Sequence, residues 1–482
     1  MKICIIGGGS SGWMTATTIC QLLDFDELTL IESPNSPISG VGESTIQQIR
    51  EWMDLIGIDE EEMIRNTDGS LKHSIKFTNF FQKNSGSFHY PFGDVKFDPK
   101  TWWSNRGEYE PNEYAQYLNP LTLVAEEGKF DATSPFSFHF DAVKFGYFLK
   151  ENYCEQVNHI TANVIGCDKD SSGIKSLHLD DKNKIEADLF IDCTGFRSLL
   201  LGEYLEEPFI PFNHLIPNDS AWATQVPYSD KEKQLVAYTE CTAIDNGWVW
   251  NIPLWKRVGT GYVYSSKHVS DEDAKQEFIE HLKLKGYDTN DCKFKKISMR
   301  IGRHQRTFVK NVVAIGLSAG FIEPLESNGL FTVHENLIDL WKTLRRGKPS
   351  QFMKDMYNMS TANKFDEFAE FVATHYAFTQ RDDTSYWRDN FNRSYELNTE
   401  HSIDIYGLRA FELELYKKSS FDNTHAGFHY IASAMDVCAY TNPDASQQDI
   451  QSMEIENVRW KETVEELPSV FEVLKDLYKD TP

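Results

Sequence analysis

The sequence predicts an α/β chain: a Rossmann-type, doubly wound core with antiparallel sheet inserted into it, followed by a mainly helical C-terminal region. Three observations carry this prediction. "KICIIGGGSSGWMTATTICQLLDFDELTLIES" reads at the N-terminus as strand, glycine turn, helix and second strand. Two later stretches, "ADLFIDCTGFRS" (187–198) and "VVAIGLSAGFIEP" (312–324), repeat the move from a buried strand into a glycine turn. Between them, about 205–300 alternates as an antiparallel sheet does, and beyond 350 the chain is helical and charged.

Each element has its reason. Ile3, Ile5 and Ile6 make a short buried strand, Trp13, Met14, Ile19, Leu22 and Leu23 fall on one helix face, and "LTLIE" is the second strand. Residues 84–136 are rich in Gly, Pro, Asn and aromatics without a period, which predicts loops and short strands. "FHFDAVKFGYFLK" (138–150) has helical spacing. A later helix carries Leu330, Phe331, His334, Leu337, Ile338 and Trp341 on one side and closes at Gly347-Lys348-Pro349. The expected domains are therefore 1–345, a dinucleotide-binding box with β-rich insertions at about 84–136 and 205–300, and 346–482, a helical region covering the substrate.

The bulk properties exclude several functions. A formal net charge of −25 over 482 residues argues against a nucleic-acid surface. A mean hydropathy of −0.47, with no span of about 18 apolar residues, argues against a membrane. The eight cysteines lie far apart with no CxxC pair or Cys/His cluster, so no metal site is expected and the thiols read as reduced. With no basic, apolar leader at the start, the expected location is the cytoplasm.

Gly7, Gly9 and Gly12 spell GxGxxG between strand and helix, and Glu32 ends the second strand twenty residues after Gly12. Glycines let a backbone approach a pyrophosphate at a helix N-terminus, and the acid accepts from a ribose hydroxyl. FAD is preferred to NAD because the two later glycine turns, at Gly195 and Gly316, look built for the same cofactor. A chain that returns three times to its first domain suits an FAD-dependent monooxygenase-like fold. Separately, "WVWNIP" sets Trp248, Trp250 and Ile252 on alternate positions before Pro253, one broad apolar wall on a strand.

Taken together, "GGGSSGWMTA", "SGVGESTIQ", "SLKHSIKF", "WVWNIP", "TGYVYSS", "FIEPLESNG" and "HYAFTQRDDTSYW" make the chain resemble the flavin-dependent halogenases of the tryptophan halogenase family, from residue 1 to about 390. The resemblance implies FAD held by Gly7, Gly9, Ser11, Gly12, Trp13, Glu32, Gly42, Glu43, Gly195 and Gly316. It implies FADH2 delivered by a separate flavin reductase, O2, and a halide (chloride, bromide or iodide) held at Asn328 and Gly329. A flavin hydroperoxide then yields hypohalous acid, and the wall Trp248, Trp250, Ile252 and Pro253 keeps organic substrate from the flavin. Lys72 and Glu326 are the implied catalytic residues for halogenating an electron-rich arene. In "SLKHSIKF" Lys72 and Lys76 alternate on one face of an expected strand, so pattern alone does not rank them; the family register chooses Lys72. By itself, "EPLESNG" is also helix-start chemistry, with Ser327 or Asn328 as N-cap.

For the substrate ring the candidates are His89, Tyr90 and Phe92, with the register ambiguous by one residue. "FDNTHAGFHYIASAMD" (421–436) lacks the tryptophan with which free-tryptophan halogenases of this family clamp their amino acid, so the expected substrate is an indole or phenol other than free tryptophan. The alternatives are a flavin-dependent hydroxylase, which has no use for the wall or for Lys72 with Glu326, and a non-catalytic FAD-fold binding module. Sequence leaves self-association open.

Overall fold

Short runs of β-branched residues buried on both faces become neighbouring parallel strands. In the computed structural model Lys2–Ile6 and Glu27–Glu32 pair in parallel, joined by the helix Ser10–Leu22. The structure describes residues 1–35, 42–393 (apart from 81, 85, most of 94–112, 378 and 380) and 445–479. These two strands belong to a six-stranded sheet in the order Phe308–Val309, Val312–Ala314, Leu189–Asp192, Lys2–Ile6, Glu27–Glu32, Asn158–Thr161, all parallel except the first pair. The three strands that run into glycine turns are adjacent, so their turns leave the sheet at one carboxyl edge, where open α/β sheets bind ligands.

The chain divides into two compact units. One comprises Met1–Gly69, Phe140–Asn213 and Met299–Phe368; the other Ser70–His139, His214–Ser298 and Ala369–Pro482. This differs from the expected boundary at 345. Residues up to 368 group with the cofactor-type sheet because Asn358 caps its edge, accepting from the Thr307 and Phe308 amides at 3.0 and 2.7 Å. The expected β-rich insertions belong instead to the second unit, since 74–91 and 220–298 share one sheet.

That sheet has seven strands in the order Lys295–Ser298, Ser220–Val226, Val258–Tyr264, Gly247–Pro253, Tyr238–Ile244, Ser74–Thr78, Ser87–Pro91. It is antiparallel except where Ser74–Thr78 runs parallel to Tyr238–Ile244. Its two faces differ. Val226, Val249, Val258, Tyr262 and Tyr264 pack against Ala274, Phe278 and Leu282 of the helix Asp271–Leu284. Alternation sends Trp248, Trp250 and Ile252 to the other face, where register sets them beside Cys241, Ala243, Ile75 and Phe77.

Two local expectations change. In 138–150, Ser137–Phe140 is a strand, and the helix Ala142–Tyr153 begins only after Asp141, whose carboxylate accepts from the amides of Val143 and Lys144. Within 84–136 the short helices Tyr114–Leu118 and Leu121–Glu126 accompany the strand Ser87–Pro91. Among the described residues no helix is long and apolar enough to cross a membrane, and no cluster of three His, Cys, Asp or Glu could hold a metal.

Candidate active site

In the first unit the candidate cofactor site is built from backbone. Gly9 precedes the helix Ser10–Leu22 with no side-chain cap and no acid in the first turn, which leaves the helix N-terminus to an anion. Gly7 takes φ +112°, and a Cβ there would fall 2.2 Å from the Cys193 carbonyl oxygen of the second glycine turn. A Cβ at Gly12 would lie 1.9 Å from the Gly7 oxygen, yet one at Gly9 would meet nothing within 4 Å. So Gly7 and Gly12 are required by close packing, and Gly9 by the space it leaves. Gly195 also faces open space at φ +68°, while Gly316 packs on Ser11. Glu32 pairs with His159 at 2.9 Å, and that ring meets the edge of Trp13 at 5.3 Å. Gly42 (φ +91°) leads into Glu43. An uncapped helix start, a cradle with room above it and an acid at the end of the second strand fit a dinucleotide.

The same unit carries Glu326. Pro324–Glu326 form a tight turn, and Ser327 follows in the left-handed region at φ +59°. That conformation turns its hydroxyl to Ser44 Oγ at 2.9 Å, so neither Ser327 nor Asn328 serves as the expected N-cap; the helix Phe331–Leu344 starts without a side-chain cap. Glu326 is buried. Asn328 is buried too, with neither Oδ1 nor Nδ2 bonded. A buried amide without partners is costly unless a ligand meets it. A Cβ at Gly329 would lie 3.2 Å from Glu43 Oε2. Burial, reinforced by Asp141, pushes the Glu43 carboxyl up to about 7, which favours its neutral form.

In the second unit the two lysines part company. Instead of one strand, "SLKHSIKF" forms two, Ser70–Lys72 and Ser74–Thr78, in different sheets. The break is His73. Its amide donates to Ala237 O, its carbonyl accepts from Phe92 N, and its ring is stacked on Phe130 at 4.5 Å, bonded to Pro135 O and reached by the Asp131 amide. Burial lowers this ring to about 4, so it is neutral. Lys76 pairs with Glu126 at 2.8 Å. Lys72 is fully buried, its Nζ 5.3 Å from the centre of the Phe92 ring.

Register also separates the substrate candidates. His89 sits opposite Lys76, bonded to Ser74 at 2.7 Å and to Glu126 at 2.9 Å; Phe92 lies by Lys72, and Tyr90 shares the tryptophan face through Ile75. On that face Trp248 and Trp250 are tilted 6.0 Å apart. Trp250 lies across Gly261, where a Cβ would come within 2.1 Å of its ring. Sequence reasoning missed Gly261, and equally Ser70 and His139, which share the Lys72 face; the signal for the first was the Gly-x-Gly at 259–261, which register sets opposite Ile252 and Trp250. The stretch 421–436 lies outside the described residues.

A three-turn glycine edge on a parallel sheet in one unit, and a buried lysine with a tryptophan-faced sheet in the other, are the features of a flavoprotein oxidoreductase. The tryptophan halogenase family model matches residues 2–444, and the chain belongs to this family of flavin-dependent halogenases. It is 34% identical over 434 residues to tryptophan 7-halogenase RebH of Lentzea aerocolonigenes, covering 84% of this chain and 81% of that one. The apo structure of VirX1 superposes with a TM-score of 0.88 at 35% identity, covering 98% of this chain and 99% of that one. Xcc4156, a flavin-dependent halogenase from Xanthomonas campestris, gives 0.85 at 27%, covering 99% and 98%.

Proposed function

We propose that the protein oxidises halide to hypohalous acid with FADH2 and O2, and that Lys72 and Glu326 use this acid to halogenate an electron-rich arene. The observation that carries the reading is the complete burial of Lys72, with its Nζ 5.3 Å from the centre of the Phe92 ring. Reduced FAD, when bound, supplies the two electrons that activate O2 for attack by halide. Gly7, Gly9, Ser11, Gly12 and Trp13 would hold its pyrophosphate side and Glu32 its ribose, with Gly42, Glu43, Gly195 and Gly316 completing the cradle. Asn328 and Gly329 would hold the halide through amide N–H groups.

The Lys72 ammonium donates a hydrogen bond to hypohalous acid and draws electron density from the halogen; as free amine it forms a haloamine and releases water. The arene's π electrons then form the carbon–halogen bond as the halogen's bond to oxygen breaks, the oxygen leaving as water with the lysine's proton, or, on the haloamine route, as its bond to nitrogen breaks and frees the amine; the Glu326 carboxylate takes the ring proton. Trp248 and Trp250 form the wall that separates arene from flavin. No second GxGxxG is present for a nicotinamide, so a flavin reductase delivers FADH2. The substrate is an indole or phenol other than free tryptophan.

The test is incubation with FAD, a flavin reductase, NADH and each halide against indoles and phenols, read by mass spectrometry. Halide-dependent products with the matching isotope pattern are expected. Oxygen insertion independent of halide would make the enzyme a hydroxylase. Efficient turnover of free tryptophan with other arenes ignored would overturn the substrate class.

A further inference from the structure

Ser70–Lys72 pairs antiparallel with Ser137–Phe140, matching Ser70 to His139 and Lys72 to Ser137. Directly opposed residues point the same way, so Lys72 shares one face with Ser70, Ser137 and His139, all fully buried, while Leu71 and Phe138 turn to the other. A four-residue polar face this deep is expensive unless its groups are bonded.

The bonds of this face have a fixed direction. The Pro253 carbonyl can only accept, so the Ser70 hydroxyl donates to it. The Ser70 oxygen therefore accepts from His139 Nδ1–H, at 3.1 Å. A neutral imidazole has one N–H, so Nε2 is bare and accepts from the Thr239 hydroxyl at 2.9 Å. Burial, and then the charge of Lys72, hold this ring well below the ordinary histidine range and keep it neutral. The chain of bonds thus runs from Thr239, which register places on the tryptophan face, through His139 and Ser70 to the last residue of the tryptophan strand.

We propose that His139 is a positioning residue for Lys72: with Ser70 it ties the lysine strand to the end of the Trp248–Pro253 strand and fixes where the amine stands. The proposal rests on the reading of Lys72 as the residue that handles hypohalous acid. The neutral ring adds no second positive charge beside the amine, and its tether removes the freedom of a three-residue strand. A displacement of 1 Å at a reacting group costs on the order of 100-fold.

The experiment compares His139→Leu, His139→Asn, Ser70→Ala and Lys72→Ala in the full chain with FAD, reductase and bromide. The arene is whichever of the indole and phenol panel wild type halogenates best. Halogenated product per FADH2 oxidised, arene KM, FAD affinity and thermal midpoint are measured. His139→Leu is expected to oxidise FADH2 and bind FAD within about twofold of wild type, with KM little changed, but to lose product yield by about 10- to 100-fold. His139→Asn, whose amide N–H can donate to Ser70 from the place of Nδ1–H, should recover to within about fivefold. If His139→Leu fails to fold, Ser70→Ala carries the test with an expected loss of about 3- to 10-fold. Wild-type yield in His139→Leu or in Ser70→Ala, an effect on KM alone, or His139→Asn as poor as His139→Leu would overturn the proposal. Lys72→Ala separates the two readings: if it keeps full yield, the role of Lys72 falls and the tether with it; if it loses product while His139→Leu does not, only the tether falls.

Discussion

The two units build their sites from opposite materials. In the first, the proposed dinucleotide cradle is backbone: glycines at 7, 9, 12, 195 and 316, three strand ends and a helix start without a cap. In the second, the proposed site is made of side chains, Lys72, Phe92, His139, Trp248 and Trp250, which come from segments far apart in sequence. A backbone site fails when something is added to it, a side-chain site when something is removed. Substitutions therefore test the two in opposite senses.

The largest effect is expected in the second unit. Lys72→Ala should abolish halogenated product while FADH2 oxidation and FAD affinity stay near wild type, and Lys76→Ala should keep most activity because its loss breaks the pair with Glu126 and the contact over the Tyr238 ring, in a different sheet from Lys72. The reverse ranking of the two lysines, read as product per flavin oxidised, would break the assignment. Glu326→Gln should lower the halogenation rate by about 10²- to 10⁴-fold, the range for one positioned acid–base group. Single-turnover measurement with preformed FADH2 would isolate it from flavin supply.

In the first unit, Gly9→Trp should weaken flavin binding by about 100-fold or more by filling the space that a pyrophosphate needs. Since a Cβ at Gly9 meets nothing, the fold should survive, and titration of FAD with an unchanged thermal midpoint is the check. Retained affinity would move the cofactor elsewhere. Gly261→Ala should cost about 3 kcal/mol, because the new methyl group collides with the Trp250 ring; denaturant unfolding measures it.

The smallest effect is one of pH. Glu43 is raised from an ordinary 4.5 to about 7, so folding favours its protonated form. The stability this lends is complete below about pH 4.5 and is lost as pH rises through 7. Glu43→Gln should match wild type near pH 4.5 and exceed it by about 2 kcal/mol at pH 8, after allowing for partial exposure. Parallel stability curves for the two proteins would refute the shift.

The contrast also explains what could be read in advance. The glycine cradle was legible because its pieces are local: GxGxxG, a strand before it and an acid twenty residues on. The tryptophan strand was legible by its period of two. The lysines were not, since alternation over 70–77 predicts one strand and His73 makes two, through bonds to Ala237, Phe92 and Pro135 that no local pattern encodes. His139 was hidden for the same reason, as its meaning lies in register with Ser70 and in the distant Thr239. Ser327 misled as a cap because its backbone is left-handed and its hydroxyl goes to Ser44, far upstream.

The order in which the chain supplies its two units has a consequence for how such a protein can change. Five times, after residues 69, 139, 213, 298 and 368, the polypeptide leaves one unit for the other. Neither unit can therefore be cut out as one stretch of gene, expressed alone, or exchanged with a relative by a single recombination event. Exchanging either unit with a relative would need several crossovers at once, whereas a point substitution or a loop insertion within a segment changes one unit without breaking the chain of the other.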